Sequence, residues 1–295
     1  MRSYNDPAGT PVWQQQTSPN MTLFPTLLRT TAALLLCISG ASYAASHITE
    51  VDRDACKQMQ QQGVMQKDAP VSCAQLRIVH FSYLDFDGQV RNDGQIMVLA
   101  AVAEQVQAIF DTLLQRKFAI AGARLMDHYR GDDAASMRDN NTSAFNDRRI
   151  TNGKAPSLHA YGVAIDINPL QNPYIQFEAD GKAIYSPPGG SKYANRLSVR
   201  PGKAARQGMA EDVVAVFAHH GFLGWGGNWD APIDYQHFQV NRALAQRMVA
   251  LPVAEARNVF HAYVQRYRLC VQERKDSDRI AAQAACATSL ERSGQ

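Results

Sequence analysis

Long apolar runs, excess charge of either sign, closely spaced cysteines and internal repetition are all scarce in this sequence. The apolar stretch near the N-terminus, Thr30-Thr31-Ala32-Ala33-Leu34-Leu35-Leu36-Cys37-Ile38, is too short to cross a bilayer. No stable membrane span is therefore expected once that segment is removed. Lys and Arg outnumber Asp and Glu by only 30 to 27, a formal charge of +3, which gives no reason to expect nucleic acid as a partner. Five cysteines occur in 295 residues, and they lack the two-residue spacing of structural zinc clusters. With no repeat to suggest stacked units, 45% hydrophobic and 19% charged residues describe an ordinary globular protein with one principal domain and extensions.

The cysteines that are present fall at the two ends. Beyond Cys37 there are Cys56 with Cys73 and Cys270 with Cys286. Four cysteines allow three pairings, of which local pairing within each end is the simplest and suits an oxidising compartment. Residues 1–44 read as an export signal. The apolar stretch follows Arg29, and Ser42-Tyr43-Ala44 supplies the small residues of a cleavage site. Met21 opens a more usual signal than Met1 does, so the true start is expected there. The expected location is the periplasm or cell envelope, with residues 45–75 an N-terminal extension carrying Cys56 and Cys73 and residues 243–295 a helical extension carrying Cys270 and Cys286.

Between the extensions lies the densest chemistry of the chain. Ser157-Leu158-His159-Ala160-Tyr161-Gly162-Val163-Ala164-Ile165-Asp166 is answered downstream by Asp234-Tyr235-Gln236-His237-Phe238. Catalytic zinc takes three ligands from His nitrogens and carboxylate oxygens and keeps a fourth position open. His159, Asp166 and His237 would supply such a set, leaving Asp234 as general base. A continuous strand from His159 to Asp166 would span roughly 23 Å and turn the two to opposite faces, so the chain must bend between them. Gly162 is the pivot expected to allow it. Residues 163–167 then read as a short strand with Val163, Ile165 and Ile167 inward and Asp166 towards the cleft. His237 and Gln239 share one face of a second strand.

This joint motif, Ser-x-His-x-x-Gly-x-Ala-x-Asp followed by Asp-x-x-His-Phe, resembles that of the zinc D-alanyl-D-alanine carboxypeptidases and L-alanyl-D-glutamate endopeptidases. That family includes VanY-like enzymes and bacteriophage endolysins and shares its fold with the hedgehog signalling domain. Asn140-Asn141-Thr142-Ser143-Ala144-Phe145-Asn146, Asp166-Ile167-Asn168-Pro169, Asn172-Pro173-Tyr174 and Gly224-Trp225-Gly226-Gly227-Asn228-Trp229 agree with one branch of it. The resemblance spans roughly residues 76–242, the expected catalytic domain. It implies an α+β fold, hedgehog/DD-peptidase-like, with a small, mostly antiparallel sheet packed by helices. It also implies Zn²⁺ held by His159, Asp166 and His237, Asp234 as the catalytic carboxylate, and peptidoglycan stem peptides as substrate. An arginine is implied to stabilise the oxyanion, and both Arg130 and Arg148 fit. Ser157, Trp225 and Trp229 are candidates for substrate contact. The alternative is a non-catalytic, hedgehog-like zinc module that binds cell-wall or protein ligands.

Periodicity supplies the frame. Residues 76–84 alternate as a strand, Asp87-Gly88 is a turn, and residues 97–118 carry apolar side chains at helical spacing. Residues 131–156 and 171–208 read as long loops beside the cleft. Residues 211–220 form a helix stopped by Gly221, residues 242–269 are helical with a break at Pro252, and the tail after Arg274 is polar.

Overall fold

A computed structural model describes residues 45–151, 153–274 and 278–293. The expected export signal, Cys37 included, lies outside the described residues. Among the described residues no helix is long and apolar enough to cross a membrane.

The fold is α+β, and its antiparallel pairing is divided among three three-stranded sheets. The first sheet joins β1 (His47–Glu50), with α1 (Arg53–Gln61) after it, to β2 (Leu76–Leu84) and β3 (Val90–Leu99) in the order β1-β2-β3. Next come α2 (Ala103–Gln115) and α3 (Asp133–Arg138). The second and third sheets interleave along the chain. Their strands are β4 (Ala164–Asp166), β5 (Tyr174–Phe177), β6 (Ala183–Ser186), then α4 (Val214–His219), β7 (Gly224–Trp225), β8 (Ile233–Asp234) and β9 (His237–Gln239). They assemble as β4-β9-β7 and β6-β5-β8. Helices α5 (Arg242–Val249), α6 (Val253–Glu273) and α7 (Arg279–Ser293) close the chain.

Strand β2 occupies the span that alternation predicts, but the helix expected over residues 97–118 begins only at Ala103. Ile96-Met97-Val98-Leu99 is a continuous apolar run, buried throughout, that pairs with β2. Such a run satisfies helical and strand spacing alike, and pairing decides it. The first long loop contains α3, whose Asp132 cap accepts from the Ala135 N–H. The second contains the β5–β6 hairpin. The polar tail contains α7, linked back to α6 by the Cys270–Cys286 disulfide. Cys56–Cys73 forms the other local bridge.

One apolar core joins the first sheet, α2 and the C-terminal helices. Val106, Ile109, Phe110 and Leu113 of α2, Phe217 and Phe222 around α4, and Phe260, Tyr263 and Val264 of α6 are all buried in it. Val163, Ile165 and Ile167 drive β4 into the same core. Asp166, between them, turns to the opposite side of the strand.

Candidate metal centre and cleft

Local folding explains how His159 and Asp166 come to face each other. Residues 158–161 make a short 3-10 turn that Ser157 caps by accepting the His159 N–H at 3.3 Å. Gly162 ends the turn with φ 66°, and a Cβ there would lie 2.6 Å from the Leu99 nitrogen. Only glycine fits both the angle and the space. Strand β4 follows, and antiparallel pairing sets Asp166 directly opposite His237 on β9.

The three side chains form a triangle of donor atoms. His159 Nε2 is 3.2 Å from His237 Nδ1, His237 Nδ1 is 2.9 Å from Asp166 Oδ1, and Asp166 Oδ2 is 3.2 Å from His159 Nε2. Tetrahedral zinc, with ligands at ~2.0–2.1 Å, sets neighbouring donors ~3.3 Å apart, close to the edges of this triangle. His159 Nδ1 lies 2.6 Å from the Ala144 carbonyl, to which it can only donate, so its free lone pair is on Nε2. His237 Nε2 similarly meets the Gln239 amide oxygen at 2.9 Å, leaving the Nδ1 lone pair for the centre. Two nitrogen lone pairs and a carboxylate aimed at one point fit a divalent cation. This is the one group of at least three His, Cys, Asp or Glu side chains among the described residues arranged to hold a metal.

All three residues are buried. When no ion is bound, burial alone would raise the Asp166 carboxyl, but the charges and hydrogen bonds of His159 and His237 then outweigh it and hold Asp166 below its ordinary value. The run Asn140 to Asn146 backs the triangle. Ser143 exchanges backbone hydrogen bonds with Asp166, and Ala144 holds His159. Asn141, Asn168 and Asn172 are buried amides bonded to backbone on neighbouring segments, which makes them braces for the loops.

A cleft of about 430 Å³ opens beside the triangle. Asp234 enters it from β8, which pairs with β5 so that Asp234 stands opposite Tyr174. Gly226 lets the chain come this close, since a Cβ there would be 2.4 Å from the Asp234 carbonyl oxygen. Asp234 is 8% exposed, and its Oδ1 has no hydrogen-bond partner among the described residues. Burial, then the charge of Asp166, pushes its carboxyl up to about 7. A buried carboxyl near neutrality can both take and return a proton.

The structure separates the two candidate arginines. Arg148 lines the cleft, paired with Asp133 at 3.1 Å. Arg130 is exposed, stands at φ 53° after the turn at residues 126–129 and does not line the cleft. The two tryptophans separate as well. Trp229 lines the cleft, 37% exposed, with its ring 5.4 Å from that of His237. Trp225 does not line it. Its indole donates to the Tyr235 carbonyl and its ring stacks on Phe238, so it packs β7 against β9. Ser157 lines the cleft while capping the His159 turn. Tyr174, Gln176, Gln236 and Arg242 also line it. Tyr174 and Gln236 lie within motifs carrying the resemblance, whereas the places of Gln176 and Arg242 depend on the β5–β6 hairpin and on α5, which no local motif announces.

Arg196 ties this wall together from the far loop. Its guanidinium donates to both Glu211 carboxylate oxygens at 2.7 Å, to the Gln171 carbonyl and to Asn172, and it lies 4.2 Å over the Tyr235 ring. Tyr235 follows Asp234, so the carboxylate's strand is clamped from outside the cleft.

No curated protein and no solved structure matches the chain. A family model described as D-alanyl-D-alanine carboxypeptidase matches residues 151–240, a segment that holds all three corners of the triangle and Asp234. The match supports a peptidase of the kind that acts on peptidoglycan. The family to which the motif residues point is thus the one whose pattern this chain carries over residues 151–240, that of the D-alanyl-D-alanine carboxypeptidases.

Proposed function

We propose that this protein is an exported zinc peptidase that cleaves the peptide stems of peptidoglycan, at a terminal D-Ala-D-Ala bond or at L-Ala-D-Glu within the stem. The observation that carries the reading is the convergence of His159, Asp166 and His237 on one point beside the buried carboxylate of Asp234. Zinc bound by the three side chains would acidify a water and polarise the scissile carbonyl. Asp234 takes the proton of the attacking water and later returns it to the leaving amine. Arg148 supplies positive charge where the carbonyl oxygen becomes negative. Asp133 orients Arg148, Ser157 holds the His159 turn, and Trp229 forms an apolar wall for the peptide. Asp234 and Arg148 in the same cleft favour catalysis over a binding-only module, which has no use for a buried base.

Purified protein, exchanged into zinc and into chelator, is incubated with peptidoglycan and with synthetic stem pentapeptide, and products are weighed by mass spectrometry. Release of D-Ala or cleavage after L-Ala is expected with zinc only. Metal-loaded, folded protein that leaves both substrates intact would overturn the reading.

A further inference from the structure

Two guanidinium groups line the cleft, and they differ in one respect. Arg148 has a carboxylate partner in Asp133, whereas Arg242 has none among the described residues. Arg242 is nevertheless held in place. One Nη1–H donates to the Pro156 carbonyl at 3.0 Å, and the guanidinium lies 5.9 Å from the centre of the Tyr161 ring. Among the described residues its Nε and Nη2 make no hydrogen bond, and the residue is half-buried. A fixed, partly desolvated guanidinium with two free donor atoms is the arrangement that recognises a carboxylate.

Helix stability does not account for Arg242. It is the first residue of α5, which has no acidic residue in its first turn. The positive end of a helix favours acidic side chains, and a cation there costs stability. Asn241 already caps the helix by accepting from Ala243 and Leu244.

We propose that Arg242 is a specificity-determining residue that binds a carboxylate of the peptide substrate at the Ser157 side of the cleft. The proposal rests on the peptidase reading above. Two carboxylates on a stem peptide carry the right chemistry: the free C-terminus of the chain and the free carboxyl of its acidic residue. Binding of the first selects terminal cleavage, and binding of the second selects stems whose acidic residue is not amidated. Arg242 acts on affinity and leaves zinc to its three donors.

The test uses zinc-loaded, full-length mature protein and three synthetic stem peptides: both carboxylates free, C-terminus amidated, and internal carboxyl amidated. Wild-type protein is expected to lose roughly 10–100-fold in kcat/KM for one of the amidated peptides, mostly through KM, the size of one charge-assisted contact. Which peptide loses identifies the carboxylate. In Arg242→Gln that preference should collapse towards unity, and Arg242→Lys should restore part of it. Zinc content and circular dichroism show whether each variant is folded. If wild type cleaves all three peptides equally well, or if Arg242→Gln keeps the full preference, the proposal is overturned. Failure of wild type to cleave any peptide would instead overturn the peptidase reading on which it rests.

Discussion

The donor triangle and the wall facing it bury polar groups on different terms. Within the triangle, the outer nitrogens have partners, His159 Nδ1 at the Ala144 carbonyl and His237 Nε2 at the Gln239 amide oxygen, and the inner donor atoms of His159, His237 and Asp166 face one another at 2.9–3.2 Å. On the wall, Asp234 Oδ1, Gln236 Oε1 and Arg148 Nε are buried with no hydrogen-bond partner among the described residues. An unmet buried polar atom costs about 1–3 kcal/mol, so the wall keeps its shape through backbone pairing, Gly226 and the Arg196 clamp. The triangle is thus a closed structure that needs only a cation at its centre. The wall is an open one whose missing bonds a substrate can complete.

The sharpest way to break this comparison is to remove corners of each. His159→Ala, Asp166→Ala and His237→Ala should each lose bound metal and all detectable hydrolysis, as metal analysis and product masses would record. Asp234→Ala should keep its metal and lose ~10²–10⁴-fold in kcat, the usual worth of a positioned acid-base group. Metal loss in Asp234→Ala would place it in the triangle rather than on the wall.

Within the wall, Arg148→Ala should lower kcat by ~10²–10³-fold with metal retained, the cost of one oxyanion donor. Arg130→Ala should leave kcat near wild type. The reverse pattern would move the oxyanion partner out of the cleft described above.

A smaller effect sharpens the triangle. Gln239→Ala removes the acceptor that fixes the His237 tautomer, so metal affinity should fall by ~10–100-fold in a competition titration with a chromophoric chelator. Unchanged affinity would show that strand pairing alone orients His237.

The smallest effect concerns stability of the metal-free protein. Asp234 has its folded pKa raised from 3.8 to about 7, so the folded state holds this proton more tightly than the unfolded chain. Its contribution is fully present below about pH 4 and is lost as pH rises through about 7. The melting temperature of chelator-treated protein should therefore decline across that window, and Asp234→Asn should flatten the decline. An equal slope in both proteins would argue that Asp234 titrates normally.

The parts legible in the sequence were those fixed by nearest neighbours along the chain. Gly162 between His159 and Asp166 announced a bend, and alternation placed Val163, Ile165 and Ile167 opposite Asp166. Strand β2 was legible for the same reason. The illegible parts depend on pairing at a distance. Residues 97–99 have helical spacing but join β2, and the β5–β6 hairpin lies inside a stretch rich in Pro and Gly that reads as loop. Arg130 and Arg148 could not be ranked because α3 and the run after it decide which one reaches the cleft. Trp225 and Trp229 stand in one motif, yet a 3-10 turn at residues 226–228 sends one to packing and the other to the cleft. Gln239 could be read as sharing a face with His237, but its hydrogen bond could not. Arg242 carries no motif at all, and its place follows from where α5 begins.

Asp166 and His237 are cross-strand partners, opposite one another on β4 and β9. A slip of that pairing by a single residue would turn the donors of one strand to the other side of the sheet. It would also expose Ile165 or Phe238, which stand opposite each other in the next register position and are buried. Affinity for metal and correct pairing are therefore tied to the same few ångströms of backbone. Metal uptake by this chain would proofread its own assembly: a molecule that captures the ion has, by that act, reported that two of its three-residue strands are in step.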